Sequence, residues 1–212
     1  MSTISTGKYY IVEHLEPEMG EWSELEYATI STECAKTGGK LYLTSLPTSL
    51  LGNLPGRLVE HTVSGRLIAT SIEVSQLSEI KSERVCLLDP AAQTDLKPED
   101  GEIFDTYVFG GILGDDPPRD RTSELRKYGY QGRRLGPKQM TTDTAVRVTR
   151  MVVEDKLPLY KIPYVDFPEL KLSKHESTEM PFRYVLGENG QPIMPEGMVE
   201  LIKKDADKSF DF

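Results

Sequence analysis

The sequence is poor in the features that mark a membrane protein, a disulfide-stabilised domain or a zinc site. No apolar run approaches the roughly 20 residues that a membrane helix needs, and the start, MSTISTGK, has no hydrophobic signal core. Cysteine is scarce, with only Cys34 and Cys86, and neither these nor the three histidines show metal-ligand spacing. We therefore expect a cytoplasmic protein with two buried thiols and no metal.

Several catalytic motifs are also missing. No G-x-G-x-x-G string follows the first predicted strand, which disfavours a dinucleotide-binding fold or a Rossmann-type methyltransferase. There is no Walker A string, no G-x-S-x-G elbow and no Cys paired with a nearby His. Because catalytic groups meet in space, these absences rank kinase, hydrolase and thiol-protease hypotheses low without deciding against them.

Basic residues are outnumbered by acidic ones. The chain has 25 Lys and Arg against 34 Asp and Glu, a formal net charge of -9 and a pI near 5.0. Nucleic-acid backbones are bound chiefly by clustered Lys and Arg, so most of this surface should repel RNA. An acidic surface attracts a basic partner instead, such as a ribosomal protein or a histone. Since many proteins carry such a charge only for solubility, the charge ranks partners and proves none.

The apolar pattern is that of one α/β domain with parallel strands, and 212 residues suffice for its core. A strand at 9–12, a helix between 21 and 36 and a strand at 41–43 follow one another, which implies a crossover connection. We predict further strands at 85–88 and 107–109, a short strand or strand end at 133–136, and helices at 121–128 and 142–154. The weak pattern of residues 50–80 is assigned to short helices. From Pro158 onward, frequent prolines predict an irregular strap that ends in a helix at 196–208.

Two glycine loops carry the strongest chemical signal. The first, Val108-Phe109-Gly110-Gly111-Ile112-Leu113-Gly114-Asp115, places three glycines just past a strand, where open parallel sheets bind ligands. The second runs from Arg134 to Ala145 and leads into a helix whose start is rich in hydroxyls and holds a carboxylate that can cap free amides. As an alternative without a ligand, a tight turn would explain the first string and an ordinary capped helix would explain the second. Neither explains why two glycine loops occur together.

These loops resemble those of the SPOUT methyltransferases, in which the carboxyl-terminal half threads into a trefoil knot that grips S-adenosylmethionine. Residues 87–90, 108–115 and 134–145 look like the three knot loops. The similarity is greatest to the fungal SPOUT protein-arginine methyltransferases that act on small-subunit ribosomal protein S three. The strings that carry it span nearly the whole chain, apart from residues 45–80: Tyr10 to His14, Val85 to Pro90, Phe109 to Asp115, Pro117 to Thr122, Arg133 to Gly136, Lys138 to Ala145, and Thr178 to Leu186.

The resemblance implies a SPOUT fold, a Rossmann-like parallel sheet with a C-terminal trefoil knot, in a single domain over residues 1–212. Within it we expect a polar tail (1–8), a Rossmann-like half (9–80), a knot half (81–157) and a C-terminal strap (158–212). The implied cofactor is S-adenosyl-L-methionine. The residues expected to bind it are Leu88, Asp89, Pro90, Gly110, Gly111, Ile112, Leu113, Gly114, Arg134, Leu135, Gly136, Gln139, Met140, Thr141, Thr142 and Thr144.

The implied reaction, methyl transfer to an arginine guanidinium, needs acidic groups beside the cofactor. A guanidinium has a pKa above about 12 and must lose a proton, so carboxylates should orient it and accept that proton. The predicted catalytic residues are Glu13, Asp115, Asp116 and Glu179. Taken one at a time, each is better explained as a solvated surface carboxylate, and the catalytic hypothesis depends on their forming a set at one sheet edge.

The acceptor stays open between two classes. The preferred partner is a basic ribosomal protein of the small subunit. The alternative is a SPOUT-class rRNA or tRNA methyltransferase, which would use the same loops and the locally basic middle of the chain, although the negative overall charge argues against direct RNA binding. A third hypothesis is a degenerate SPOUT domain that serves as an assembly factor. Many SPOUT enzymes dimerise through the knot; here we expect a monomer, with a homodimer as the alternative.

Overall fold

A six-stranded sheet forms the centre of the protein in a computed structural model that describes residues 7–110, 122–173 and 176–208. Its strands run in the order β3-β2-β1-β5-β4-β6, and all five pairings are parallel, as the alternation of strands and helices predicts. The strands are β1 (Tyr9–Glu13), β2 (Lys40–Thr44), β3 (Leu67–Ala69), β4 (Val85–Leu88), β5 (Thr106–Gly110) and β6 (Gln131–Arg133).

Both faces of the sheet are covered, which is why its central strands read as unbroken apolar runs. Along β1, Tyr10 and Val12 pack into one core cluster while Ile11 packs into the other, following the two-residue period of a strand. Helices α1 and α6 cover the first face. The helices are α1 (Glu21–Ala35), α2 (Thr48–Leu51), α3 (Gly56–Val63), α4 (Asp100–Ile103), α5 (Ser123–Arg126), α6 (Thr142–Val153) and α7 (Met198–Lys208).

The two cysteines are free and buried, as predicted. Burial disfavours the thiolate and raises the pKa of Cys86 to about 12, and it raises the pKa of Cys34 as well. Both thiols are therefore core groups and poor nucleophiles.

The sequence-based prediction of the fold is wrong in three places. β3 lies in the segment assigned to short helices, and of the short strand or strand end expected over 133–136 only Arg133 belongs to β6. The strap also has regular structure, with two antiparallel pairs, β7 (Tyr164–Asp166) with β10 (Arg183–Val185) and β8 (Glu169–Lys171) with β9 (Ser177–Glu179). Each of these strands has three residues, too few to show a period of two.

The sheet joins strands from both sides of residue 80, the boundary expected between the Rossmann-like half and the knot half. The division into segments is otherwise untested. The trefoil knot depends on the path of residues 111–121, which lie outside the described residues, so the knot stays a prediction. Over the ranges that the structure describes, no helix has both the length and the apolar character to cross a membrane.

Candidate functional site

A cavity of about 520 Å³ opens at the carboxyl ends of β4 and β5, the edge at which parallel sheets bind ligands. Its walls come from the ends of these strands, from α5 with the residue before it, from the loop over 134–140, and from the first turn of α6. Residues expected to bind the cofactor that do line it are Leu88, Asp89, Pro90, Gly110, Arg134, Leu135, Gly136, Gln139, Met140 and Thr142.

The remaining residues of that prediction fall into two groups. Gly111, Ile112, Leu113 and Gly114 lie outside the described residues. Thr141 and Thr144 are buried beside the cavity but are not part of its lining. Lining residues that were not expected are Ala91, Phe109, Thr122, Arg126, Pro137, Lys138 and Ala145.

The loop over 134–140 turns at Gly136, whose φ of +90° belongs to a region that side chains with a Cβ rarely adopt. This glycine lines the cavity, and a Cβ built on it would meet no atom of the described residues within 4 Å. The turn therefore requires glycine for its backbone conformation, and the missing side chain leaves open space in the cavity.

A charged pair lies in the cavity wall. Arg126 of α5 donates two hydrogen bonds to the buried carboxylate of Asp89, from Nε at 2.6 Å and from Nη2 at 2.7 Å, and the backbone N–H of Ala91 adds a third at 2.9 Å. The guanidinium holds the pKa of Asp89 below its usual value. The cavity thus contains a fixed ionised carboxylate and a guanidinium, both able to bind polar groups of a ligand.

The start of α6 differs from the expected self-capped helix. The Thr141 hydroxyl donates within the helix start, to Asp143 Oδ1 at 2.7 Å and alternatively to Thr144 Oγ1 at 2.8 Å. The backbone N–H of Thr142 is bonded instead by Oε1 of Glu26, at 3.0 Å, from the middle of α1. Sequence reasoning could not find this residue, because Glu26 precedes the helix that it caps by more than a hundred positions.

Glu13 is buried at the end of β1, where it is the register partner of Gly110 in β5. Its carboxylate accepts hydrogen bonds from the hydroxyls of Thr44 and Ser45 and, at 3.2 Å, from the backbone N–H of Val74. It is therefore not the solvated surface acid considered above, and it is not part of the cavity lining. These bonds tie β1, β2 and the turn at residue 74 together at the same sheet edge as the cavity; a catalytic role for Glu13 stays a prediction.

Of the other three predicted acids, the structure describes only Glu179. Glu179 is exposed on β9, opposite Glu169, and does not line the cavity. The expectation that the strap brings Glu179 to the cavity is not met. The next residue, Met180, is buried, and successive residues of an extended chain point to opposite sides, so the side chain of Glu179 is exposed. Asp115 and Asp116 lie outside the described residues. Within those residues no group of three or more His, Cys, Asp or Glu could hold a metal ion.

The strap supports the cavity at another point. The backbone N–H of Arg183 in β10 donates to the carbonyl of Gln139 at 2.8 Å, and the ammonium of Lys138 lies 4.9 Å from the centre of the Phe167 ring. Both loop residues line the cavity. The strap thus fixes the wall over 138–140 without contributing to the lining.

Comparisons with known proteins agree on the family. The sequence profile of the family described as "Protein arginine N-methyltransferase SFM1-like" matches residues 9–209. Protein arginine N-methyltransferase SFM1 of Saccharomyces cerevisiae is 48% identical over 210 residues, which cover 95% of this chain and 97% of the relative. The crystal structure of the yeast arginine methyltransferase SFM1 complexed with SAM is 46% identical, with a TM-score of 0.86 over 95% of this chain and 92% of that one.

A more distant likeness concerns the fold alone. The full-length spTrm10 complex with SAH has a TM-score of 0.50 at 12% identity and covers 66% of this chain and 84% of that one. Together with the parallel sheet, these likenesses confirm the predicted α/β fold of the SPOUT class.

Proposed function

We propose that the chain, which belongs to the SFM1-like family of protein arginine N-methyltransferases, methylates an arginine of a small-subunit ribosomal protein, ribosomal protein S three, the substrate implied by its resemblance to the fungal SPOUT enzymes. The methyl donor is S-adenosyl-L-methionine, the SAM with which a 46% identical relative was crystallised. The observation that carries the proposal within this molecule is the cavity at the carboxyl ends of β4 and β5, built from the loops expected to bind that cofactor.

The residues of the cavity fit S-adenosylmethionine. Leu88, Leu135 and Met140 offer apolar surface for an adenine ring, and Gly136 leaves room for close approach of the ligand to the backbone. Asp89 and Arg126 supply a carboxylate and a guanidinium, which suit the ribose hydroxyls and the carboxylate of an amino acid. When bound, the cofactor supplies an electrophilic methyl group on a sulfonium.

The chain must then orient the acceptor guanidinium and take its proton. Asp115 and Asp116 follow the first glycine loop directly, and we propose that one of them accepts the proton. Glu13 ends the neighbouring strand, and its bonds to Thr44 and Ser45 support a role in shaping the acceptor side. The net charge of -9 favours a basic protein as acceptor, and we propose a monomeric enzyme acting in the cytoplasm, where ribosomes are.

The nature of the acceptor is tested by incubating the protein with small ribosomal subunits and labelled S-adenosylmethionine. Protease should release the label and ribonuclease should not, and mass spectrometry should find a methylated arginine in ribosomal protein S three. Activity should fall as salt rises, because charge steering acts over roughly 8 Å at physiological ionic strength. Label that only ribonuclease releases would instead support the rRNA or tRNA methyltransferase.

The acids are tested by single-turnover methyl transfer with Asp115→Asn, Asp116→Asn, Glu13→Gln and Glu179→Gln. A true proton acceptor should lose about 10²-fold to 10⁴-fold in rate with little change in cofactor affinity. Glu99→Gln is the matched control, because Glu99 is exposed and does not line the cavity. Full activity in all four variants would contradict the proposed position of the acceptor.

A further inference from the structure

Helix α6 begins without a side-chain cap of its own. Its N-cap residue, Thr141, has the extended backbone of a cap, with φ -64° and ψ 160°, yet its hydroxyl does not bond the free amides. Glu26 Oε1 accepts the N–H of Thr142, the first residue of the helix. A residue of α1 therefore does what the N-cap side chain usually does.

A buried network of charged and hydroxyl groups lies next to Glu26 at the start of α6. Asp143 accepts from Thr141 and, at 3.2 Å, from Arg147, whose guanidinium also donates to Glu33 at 2.7 Å. Burial, and then the nearby Asp143, raise the pKa of Glu26 well above its usual value. Oε1 of Glu26 accepts from Thr142, and a raised pKa reduces the negative charge that Glu26 places beside Asp143, whose own ion pair is with Arg147.

The helix start held by Glu26 is also cavity wall. Thr142 and Ala145, in the first turn of α6, line the cavity, and so do Gln139 and Met140 just before it. Glu26 itself is buried behind this wall and is not part of the lining. Any displacement of the first turn of α6 would move a continuous stretch of the wall.

We propose that Glu26 is a positioning residue for S-adenosylmethionine, which fixes the first turn of α6 from behind and so sets the shape of the cavity without touching the cofactor. This inference rests on the proposed function only in its choice of cofactor. It does not depend on what the acceptor is.

The test is calorimetric titration with S-adenosylhomocysteine, which needs no acceptor. Glu26→Gln keeps the size of the side chain and an acceptor oxygen for the Thr142 N–H, so its affinity should stay within about twofold of the wild type. Glu26→Leu removes the acceptor of the bond from the Thr142 N–H, and we expect affinity to fall about tenfold. Ile30→Ala, one turn along α1, is the control: it removes core contacts only and should lower the melting temperature while affinity is unchanged.

Three outcomes are separable. Wild-type affinity in Glu26→Leu, with a melting temperature lowered as in Ile30→Ala, would reduce Glu26 to a structural residue and overturn the inference. Equal losses in the Gln and Leu variants would also overturn it, because the Gln variant retains the cap. A wild-type protein that does not bind the ligand would contradict the proposed function instead. If Glu26→Leu does not fold, Glu26→Asp takes its place, because its side chain is one methylene shorter and should lose the bond to Thr142.

Discussion

Gly136 offers a direct test of how backbone conformation shapes the cavity. Its φ of +90° is strained for any residue with a Cβ, whereas the space around that Cβ is open to at least 4 Å. Substitution of Gly136 should therefore lower the free energy of unfolding through backbone strain and not through a steric clash. We predict that the free energy of unfolding falls in the order Gly, Asn, Ala, Val, because Asn tolerates positive φ best and a β-branched residue tolerates it least.

The magnitude follows from two opposing effects. Left-handed conformation costs an alanine about 1–2 kcal/mol, while the loss of glycine's freedom in the unfolded chain returns about 0.4–1 kcal/mol. Gly136→Ala should thus destabilise the protein by about 1 kcal/mol, Gly136→Asn by less and Gly136→Val by more. Gly56→Ala is the matched control: Gly56 also has open space but starts α3 without positive φ, so alanine there should leave stability equal or slightly higher.

Urea denaturation of the protein without cofactor measures these differences. The reasoning would be refuted if Gly136→Asn were less stable than Gly136→Ala, since that order follows side-chain size. Titration with S-adenosylhomocysteine supplies a second measurement. Affinity should fall for all three variants, because strain in the loop over 134–140 displaces a wall of the cavity.

Three further predictions concern the charged and close-packed parts of the same region. Because the pKa of Glu26 is raised in the folded state, the contribution of this group to the free energy of unfolding should fall as pH rises above about 4.5. In urea denaturation at several pH values, Glu26→Gln should therefore be less destabilised than the wild type, relative to acid pH, as the pH rises. Arg126→Met leaves the Asp89 carboxylate without two charge-assisted bonds and, allowing for partial solvent exposure of Arg126, should destabilise the protein by about 1–2 kcal/mol at pH 7. Because the pKa of Asp89 is lowered in the folded state, this loss of stability should shrink as the pH falls below the usual pKa of an aspartate. Gly101→Ala places a Cβ 2.5 Å from the Val153 carbonyl oxygen between α4 and α6, which should lower the melting temperature through about 1–3 kcal/mol of overpacking.

The elements predicted well from sequence are those with a local signal. β1, β4 and β5 are buried on both faces, so their residues form short apolar runs that stand out from polar neighbours. α6 has Val148 and Val152 four positions apart on its buried face. β3 and the strands of the strap have three residues each and are defined by partners far along the chain, which no local pattern reveals.

The residues of the site likewise divide into those with a local sequence signal and those without one. The glycine loops were visible because a sharp turn at the end of a strand needs glycine, and Gly136 shows the positive φ that this requires. Arg126 lies in the locally basic middle of the chain, which the sequence alone would equally assign to RNA binding, but in the structure it is paired with Asp89 in the cavity wall. Glu26 has no local signal, since it lies amid the helix-forming residues of α1.

The support of the cavity loop has a physical logic that connects these observations. The stretch from Gln139 to Thr142 is bound at one end by the strap, through the amide of Arg183, and at the other by Glu26 of α1. Phe167, whose ring meets the ammonium of Lys138, has a φ of +51°, a strained conformation for a bulky residue that persists only where its surroundings hold it. The loop over 134–140 turns at a glycine, and the stretch from Gln139 to Thr142 is held in place by residues of the strap and of α1. Residues that do not contact the cofactor should therefore affect its binding affinity.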